Sequence, residues 1–509
     1  MKLNFLKNTK RNVIAGAANE VLRLLFPFLN RTLFLWLMGA EYLGLNSLFS
    51  AILGVLSLAE LGFGTAVVCS MYKPIADDDR DLICAYLRFY RTVYRWVGTI
   101  IFAIGLCLLP FLRKLVHGDL PPDVNLYVLY MLHLVNTSAS YFLFAYRGSI
   151  LSAHHRNDVL TNIRTGLQIV QYISVFLVLI FTRNYYFYVI VTVVFTVIQN
   201  ILIMRESKRL FPDISPCGDL LSEKRRQVLS DVKSIFLHKV GGVISYQIDN
   251  VLLSAFLGLV TVAAYGNYYY VYTSVAGIPA IIYSSMMGGF GNKIHTESRE
   301  KNFELFMLVC RMVGIVIIWC AAMMLALYQP FIKIWSGHDP ELIQHFLTPV
   351  LLVLYFYINQ SRQVLLTFKA GASLWREDRW KPVTGGMVKL LTSLLFIMVL
   401  PEEYKLDGVI LSSIIGYVFV QIPWESHVVF SSFFDRTQAN AYWRHQTQFM
   451  LTALLICTVT WGVTTSVPMD RIPGLLVKGV VAALVSGGLI LFFFYKDVPA
   501  VMEKLLKRS

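Results

Sequence analysis

Charge is what this sequence is short of. Asp, Glu, Lys and Arg make up only 15% of its 509 residues, while 56% are apolar. A soluble chain of this length needs far more polar surface, so a water-soluble globular protein is excluded first. Signatures of nucleotide and metal chemistry are missing too: there is no GK[ST] ending of a phosphate-binding loop, no HExxH pair and no CxxC pair. Their absence argues against a P-loop ATPase, a zinc protease or a zinc ribbon. The cysteines (Cys69, Cys84, Cys107, Cys217, Cys310, Cys320 and Cys457) are few and avoid the segments read below as outer loops, so free thiols are expected. Short alternating apolar segments are also lacking, which excludes a membrane β-barrel.

What is there is a succession of apolar blocks, with a mean hydropathy of +0.59. Blocks of roughly 20 residues cross the hydrocarbon core as helices, because backbone groups in lipid must pair within the segment. The fold class is therefore an all-α polytopic membrane protein with about fourteen transmembrane helices. The spans fall near 13–38, 43–70, 88–112, 124–150, 162–182, 186–204, 234–258, 262–290, 303–328, 343–369, 383–400, 407–430, 447–467 and 474–495. The first block is interrupted by Glu20 and Arg23 and lacks a small-residue cleavage site, so it reads as a span and not as a signal peptide.

Lys and Arg are distributed unequally between the two sides. The loops on the side of the N-terminus carry about 27 and the opposite loops about 6, which places both termini in the cytoplasm. The formal charge of +14 is then explained by basic cytoplasmic loops facing anionic lipid, and no nucleic-acid partner is expected. The longest inner connection divides the chain. Residues 1–204 form an N-terminal six-helix lobe, 205–233 a cytoplasmic linker, 234–446 a second six-helix lobe, 447–495 two additional helices and 496–509 a tail. The lobes echo one another: Gly39 follows Arg31 by the same interval as Gly258 follows Asn250. Both lobes start on the same side, so the repeat is parallel, about an axis along the membrane normal.

Several charges fall inside apolar spans. Basic residues outnumber the acids Glu20, Glu60, Asp249 and Glu425 in that zone. A charge at the bilayer centre costs about 2.5–3.5 kcal/mol even on a lenient scale, so these side chains face a cavity or a partner. Glu20, Arg23, Pro27, Asn30 and Arg31 share one helical stripe; Lys239, Gly242, Tyr246, Asp249 and Asn250 share another, and Asn359, Arg362 and Lys369 a third. One reading is a central basic cavity between pseudo-symmetric lobes; the other is a set of structural ion pairs. A basic cavity attracts anions and favours phosphate, which the planar Arg fork recognises. Candidate substrate contacts are Arg23, Arg31, Arg147, Lys239, Arg311, Arg362 and Lys389. Glu20, Glu60 and Asp249 are the acids available to bind a coupling Na⁺ or H⁺ or to pair with arginine. No other cofactor, no resident metal and no catalytic group is expected.

Particular stretches carry a family resemblance. Ile248–Tyr270 (IDNVLLSAFLGLVTVAAYGNYYY), Gly288–Asn292 (GGFGN), Tyr146–Asp158 (YRGSILSAHHRND), Phe368–Pro382 (FKAGASLWREDRWKP) and Gly44–Tyr72, with Glu60-Leu61-Gly62, resemble polysaccharide-type flippases of the multidrug/oligosaccharidyl-lipid/polysaccharide (MOP) superfamily. The resemblance implies alternating access. It also implies an undecaprenyl-pyrophosphate-linked oligosaccharide as cargo for surface polysaccharide export, with membrane lipids, a polymerase and glycosyltransferases as partners of a monomer. By the same resemblance Arg23, Arg31, Arg147 and Arg362 are leading substrate contacts. Where that family often has Thr before Asp-Asn, Ile248 stands here. Two rivals remain: a cation-coupled multidrug or small-molecule exporter on the same scaffold, and a membrane glycosyltransferase or polymerase, which the short outer loops disfavour.

Overall fold

A computed structural model describes residues 25–495, apart from 58–62, 119, 155, 373, 375–376, 378–379 and 468–471, with backbone only at 65, 157, 231, 233–246, 284–296 and 370. Glu20, Arg23 and Glu60 lie outside the described residues, as does the Lys239 side chain. The described chain is helical throughout and divides between Ala263 and Ala264 into two compact units.

The first unit contains α1 (Leu25–Met38), α2 (Ala40–Leu56), α3 (Phe63–Ala76), α4 (Arg80–Leu108), α5 (Leu126–Phe142), α6 (Gly148–Ala153), α7 (Asn157–Thr182), α8 (Tyr185–Leu210), α9 (Ser222–Leu257) and the first turn of α10 (Leu259–Thr296). The second contains the remainder of α10, then α11 (Arg299–Trp335), α12 (Leu347–Gly371), α13 (Lys381–Val399), α14 (Lys405–Ile415), α15 (Ile422–Ser432), α16 (Arg436–Thr465) and α17 (Ile472–Phe493).

Helix starts follow local chemistry. The side chains of Asp79, Asn125, Asn184 and Ser298 accept from backbone N–H groups in the first turns of α4, α5, α8 and α11. Each satisfies donors that the helix ladder leaves open. At α16, Asp435 and Gln438 form a reciprocal capping box. The Asp435 carboxyl is held below its ordinary value, first by the Thr437 hydroxyl and then by the Gln438 N–H. A depressed acid contributes stability that is present above its unfolded value and lost as pH falls through the folded one. Asp435→Ala is therefore expected to lower the thermal midpoint by a few degrees at neutral pH. The gap to the unsubstituted protein should close below the ordinary carboxylate range in a pH series of melting curves.

Two helix junctions share an unusual backbone. Gly39 between α1 and α2 has φ 103° and ψ 173°; Gly258 between α9 and α10 has φ 90° and ψ 173°. That region is open essentially to glycine alone, at a cost of about 1–3 kcal/mol for other residues. Each glycine also accepts from the residue four positions on, Leu43 or Val262. Nothing lies within 4 Å of a Cβ built on Gly39. Gly39→Ala should therefore destabilise through backbone strain alone, by about 1–3 kcal/mol in denaturant titration.

Among the described residues, eight helices are long and apolar enough to cross a bilayer, or nine if α5 and α6, bent by 45° at their junction, count as one span; α1, α2 and parts of α3 and α9 are shorter apolar helices. Large apolar side chains such as Phe181, Leu484, Met398 and Phe492 stand exposed. Such a surface suits lipid and not water. The chain is an all-α, multi-pass membrane protein.

Candidate functional site

A buried charge cluster in the second unit begins at Glu425 on α15, which is 0% exposed. Arg362 on α12 grips both carboxylate oxygens, Nε to Oε2 at 2.7 Å and Nη2 to Oε1 at 2.8 Å. Lys381, the first residue of α13, donates to Oε1 at 2.5 Å. Pro382 starts α13 by lacking an N–H that the first turn cannot use. That start puts the Lys381 ammonium at the positive end of the helix dipole, where a cation is disfavoured unless an anion answers it. Glu425 is that anion.

The guanidinium is held on its other sides. Arg362 Nη1 donates to Asn359 Oδ1 at 3.3 Å, and Asn359 Nδ2 donates to the Tyr272 hydroxyl at 2.6 Å. Tyr417 lies under the guanidinium, 4.7 Å from Cζ to ring centroid, and stacks on Tyr355. This cation–π contact strengthens in a desolvated setting. Tyr417 reaches Arg362 from a π turn, Gly416–Gln421, whose ladder closes with Ile422 N–H on the Tyr417 carbonyl. Pro423 supplies the physical reason: it cannot donate to the carbonyl four residues back, so the ladder slips by one residue. The wider turn also brings Gln421 against Gly385 and Gly416 close to Lys389. Lys381, Gly385 and Lys389 follow one another at four-residue steps on α13, so they share a face.

The other candidates are placed separately. Arg31 donates to the Ala263 carbonyl at 3.1 Å, and its neighbour Asn30 donates to the Tyr188 hydroxyl at 3.2 Å. Arg147 is buried at the α5–α6 bend and donates to the Ile214 carbonyl at 2.9 Å. Asp249 is buried on α9, and Arg311 lies exposed on α11. Arg362 and Lys389 thus meet in one neighbourhood, whereas Arg31, Arg147 and Asp249 belong to the first unit. Sequence reasoning misses Lys381 and Tyr417. Lys381 falls between two apolar blocks and so reads as loop, although Lys-Pro at the head of an apolar block is a helix-start signal.

No protein-family model matches the chain, and no curated protein matches it significantly. Solved structures do match. One is an inward-facing multidrug resistance MATE family transporter of the MOP superfamily: TM-score 0.60, 13% identity, 81% of this chain and 96% of that one. Another is a MOP superfamily transporter from Pyrococcus furiosus, described by a reverse polarity of its binding pocket: TM-score 0.53, 14% identity, 81% and 93% covered. A third is a single-residue mutant of the Vibrio cholerae MATE transporter VcmN: TM-score 0.51, 12% identity, 85% and 95% covered. The fold is accordingly the one that these solved transporters share.

The comparison corrects the reading of the chain as a polysaccharide-type flippase. Solved transporters that share its fold include several of the MATE type, and none of those named here is described as a polysaccharide flippase. A lipid-linked oligosaccharide cargo, and a polymerase and glycosyltransferases as partners, fall with that reading. The physical reason lies in what the quoted stretches do. Ile248–Tyr270 contains the Gly258 junction, and Tyr146–Asp158 contains the α5–α6 bend, with Arg147 on a backbone carbonyl and His154 Nδ1 at 2.9 Å from the Ile150 carbonyl. These are scaffold features, which specify a fold and not a cargo. The excess of bases that favours a pyrophosphate is a count against carboxylates. Arg31 and Arg147 bind backbone carbonyls, which such a count leaves out.

Proposed function

We propose that this chain is a cation-coupled exporter of small organic molecules, working by alternating access. The observation that supports it most is the likeness to the inward-facing MATE structure, extending over 96% of that protein. In this reading about fourteen helices cross a bacterial plasma membrane with both termini in the cytoplasm. Lobes 1–204 and 234–446 are joined by the linker 205–233, and 447–495 adds a terminal pair. The matching conformations of Gly39 and Gly258 support a parallel repeat. Arg23, Arg31, Arg147, Lys239, Arg311, Arg362 and Lys389 are the proposed cargo contacts, and Glu20, Glu60 and Asp249 the proposed sites for Na⁺ or H⁺.

Proteoliposomes with an imposed Na⁺ or pH gradient test the reading, using ethidium as a cationic probe and fluorescein as an anionic one. Gradient-dependent movement of either probe is expected, and its loss on Arg362→Ala in protein that still melts cooperatively would tie transport to the cluster. Movement of neither probe under either gradient would overturn the proposal.

A further inference from the structure

A second buried carboxylate lies in the same unit, near the start of α14. Asp407 is 3% exposed. Its Oδ1 accepts the Thr348 hydroxyl at 2.7 Å, and its Oδ2 lies 3.0 Å from Nε2 of His345. The same Nε2 is 2.8 Å from the Glu403 carbonyl. A carbonyl only accepts, so Nε2 carries a hydrogen and Nδ1 is the nitrogen left to take up a proton. The His345 side chain is 33% exposed while that of Asp407 is 5% exposed. The imidazole therefore bridges water and a carboxylate that water scarcely reaches.

His345 is not carried on a loose loop. The residue before it is tied down twice: Gln344 N–H donates to the Tyr268 hydroxyl at 3.1 Å, and Gln329 Nε2 donates to the Gln344 carbonyl at 2.5 Å. Tyr268 closes the loop by donating to Gln329 Oε1 at 2.8 Å, and the Tyr404 ring packs on the imidazole at 4.9 Å.

The charges around the pair are few. From α10 the facing titratable group is Tyr268, and α11 contributes neutral Gln329. From α13, Phe396 and Leu400 pack against Gly408 beside Asp407, and neither carries charge. On the segment leading into α14, Lys405 is engaged with Glu402 at 3.0 Å, and Glu403 meets His345 through its backbone. Among the described residues, His345 is the one cation-forming group within ion-pair distance of Asp407.

With the imidazole neutral, the pair holds one buried negative charge. One proton on Nδ1 converts it to a neutral ion pair already at 3.0 Å, which relieves the cost of burying net charge.

We propose that His345 and Asp407 together bind one proton exchangeable with water at that end of the span, and that its gradient drives export. The driving role rests on the exporter reading above; in that topology the site faces outside, so external acid loads it.

Infrared difference spectra of the full-length protein in detergent, between about pH 8 and about pH 5, test the site. The unsubstituted protein should show a protonation signal that both Asp407→Asn and His345→Gln remove. The partly exposed His345 provides a variant whose folding is undemanding. An identical signal in all three proteins would overturn the proton site whether or not the protein exports. In proteoliposomes, each substitution should lower pH-driven ethidium movement by about tenfold or more while ethidium binding changes less than about twofold. If the signal is lost as expected but the unsubstituted protein moves no probe under a pH gradient, the driving role is overturned and the proton site stands.

Discussion

Glu425→Gln is expected to cost about 3–5 kcal/mol and to abolish transport, because it removes the anion from a buried pair and leaves the cations in place. Glu425 answers Arg362 through two hydrogen bonds and Lys381 through a third. An amide oxygen can accept from one of them but carries no charge to offset either. The partners are not equivalent. Lys381→Met leaves the two-pronged Arg362 contact intact and should cost least, and Arg362→Met leaves Glu425 with Lys381 and should fall between. Replacing Glu425 and Arg362 together, by Gln and Met, should recover part of the single-variant loss, since a removed pair is cheaper than a broken one. Melting curves of the purified variants give the order, and transport assays at a permissive temperature separate lost folding from lost function. A Glu425→Gln protein that melts within a degree of the unsubstituted one would show that the pair is not what holds α12, α13 and α15 together.

Much of this arrangement can be read from residues, but not all of it. Apolar blocks of bilayer length announce a helical membrane protein, because lipid leaves the backbone few alternatives. Gly39 and Gly258 stand out at matched intervals, and both occupy backbone that glycine alone tolerates. Arg362 and Glu425 are each conspicuous as charges in apolar surroundings. Their union is not legible, because they are 63 residues apart and nothing local to either names the other. The π turn that delivers Tyr417 is hidden for a related reason. Pro423 marks a disturbed ladder, but whether it kinks, breaks or widens depends on what packs there. His345 and Asp407 sit where periodic patterns fray at span ends, so neither draws notice until α12 and α14 are set side by side. The stretches that look most distinctive do not name a cargo: they hold the Gly258 junction and the α5–α6 bend as well as Lys381.

The scaffold itself yields the second large effect, at Gly44 on α2. A Cβ built there runs into the Leu259 carbonyl, and the carbonyl carbon is 2.7 Å away. The obstacle is backbone, at the turn where Gly258 hands α9 on to α10, so no rotamer change can clear it. Gly44→Val must push α2 away from that junction and is expected to cost about 3 kcal/mol or more, at the upper end of overpacking effects. Glycine in helices elsewhere supplies the control. Gly166 on α7 and Gly462 on α16 have nothing within 4 Å of a built Cβ. Alanine at either should be neutral or stabilising by about 0.5–1 kcal/mol through helix propensity. Thermal unfolding of the three variants in one detergent tests close approach against mere helix preference. If Gly44→Val and Gly462→Ala shift the midpoint alike, the junction yields and α2 is not held by it. A large loss at Gly44 alone would show that α2 is fixed to the α9–α10 turn by a contact that only glycine permits.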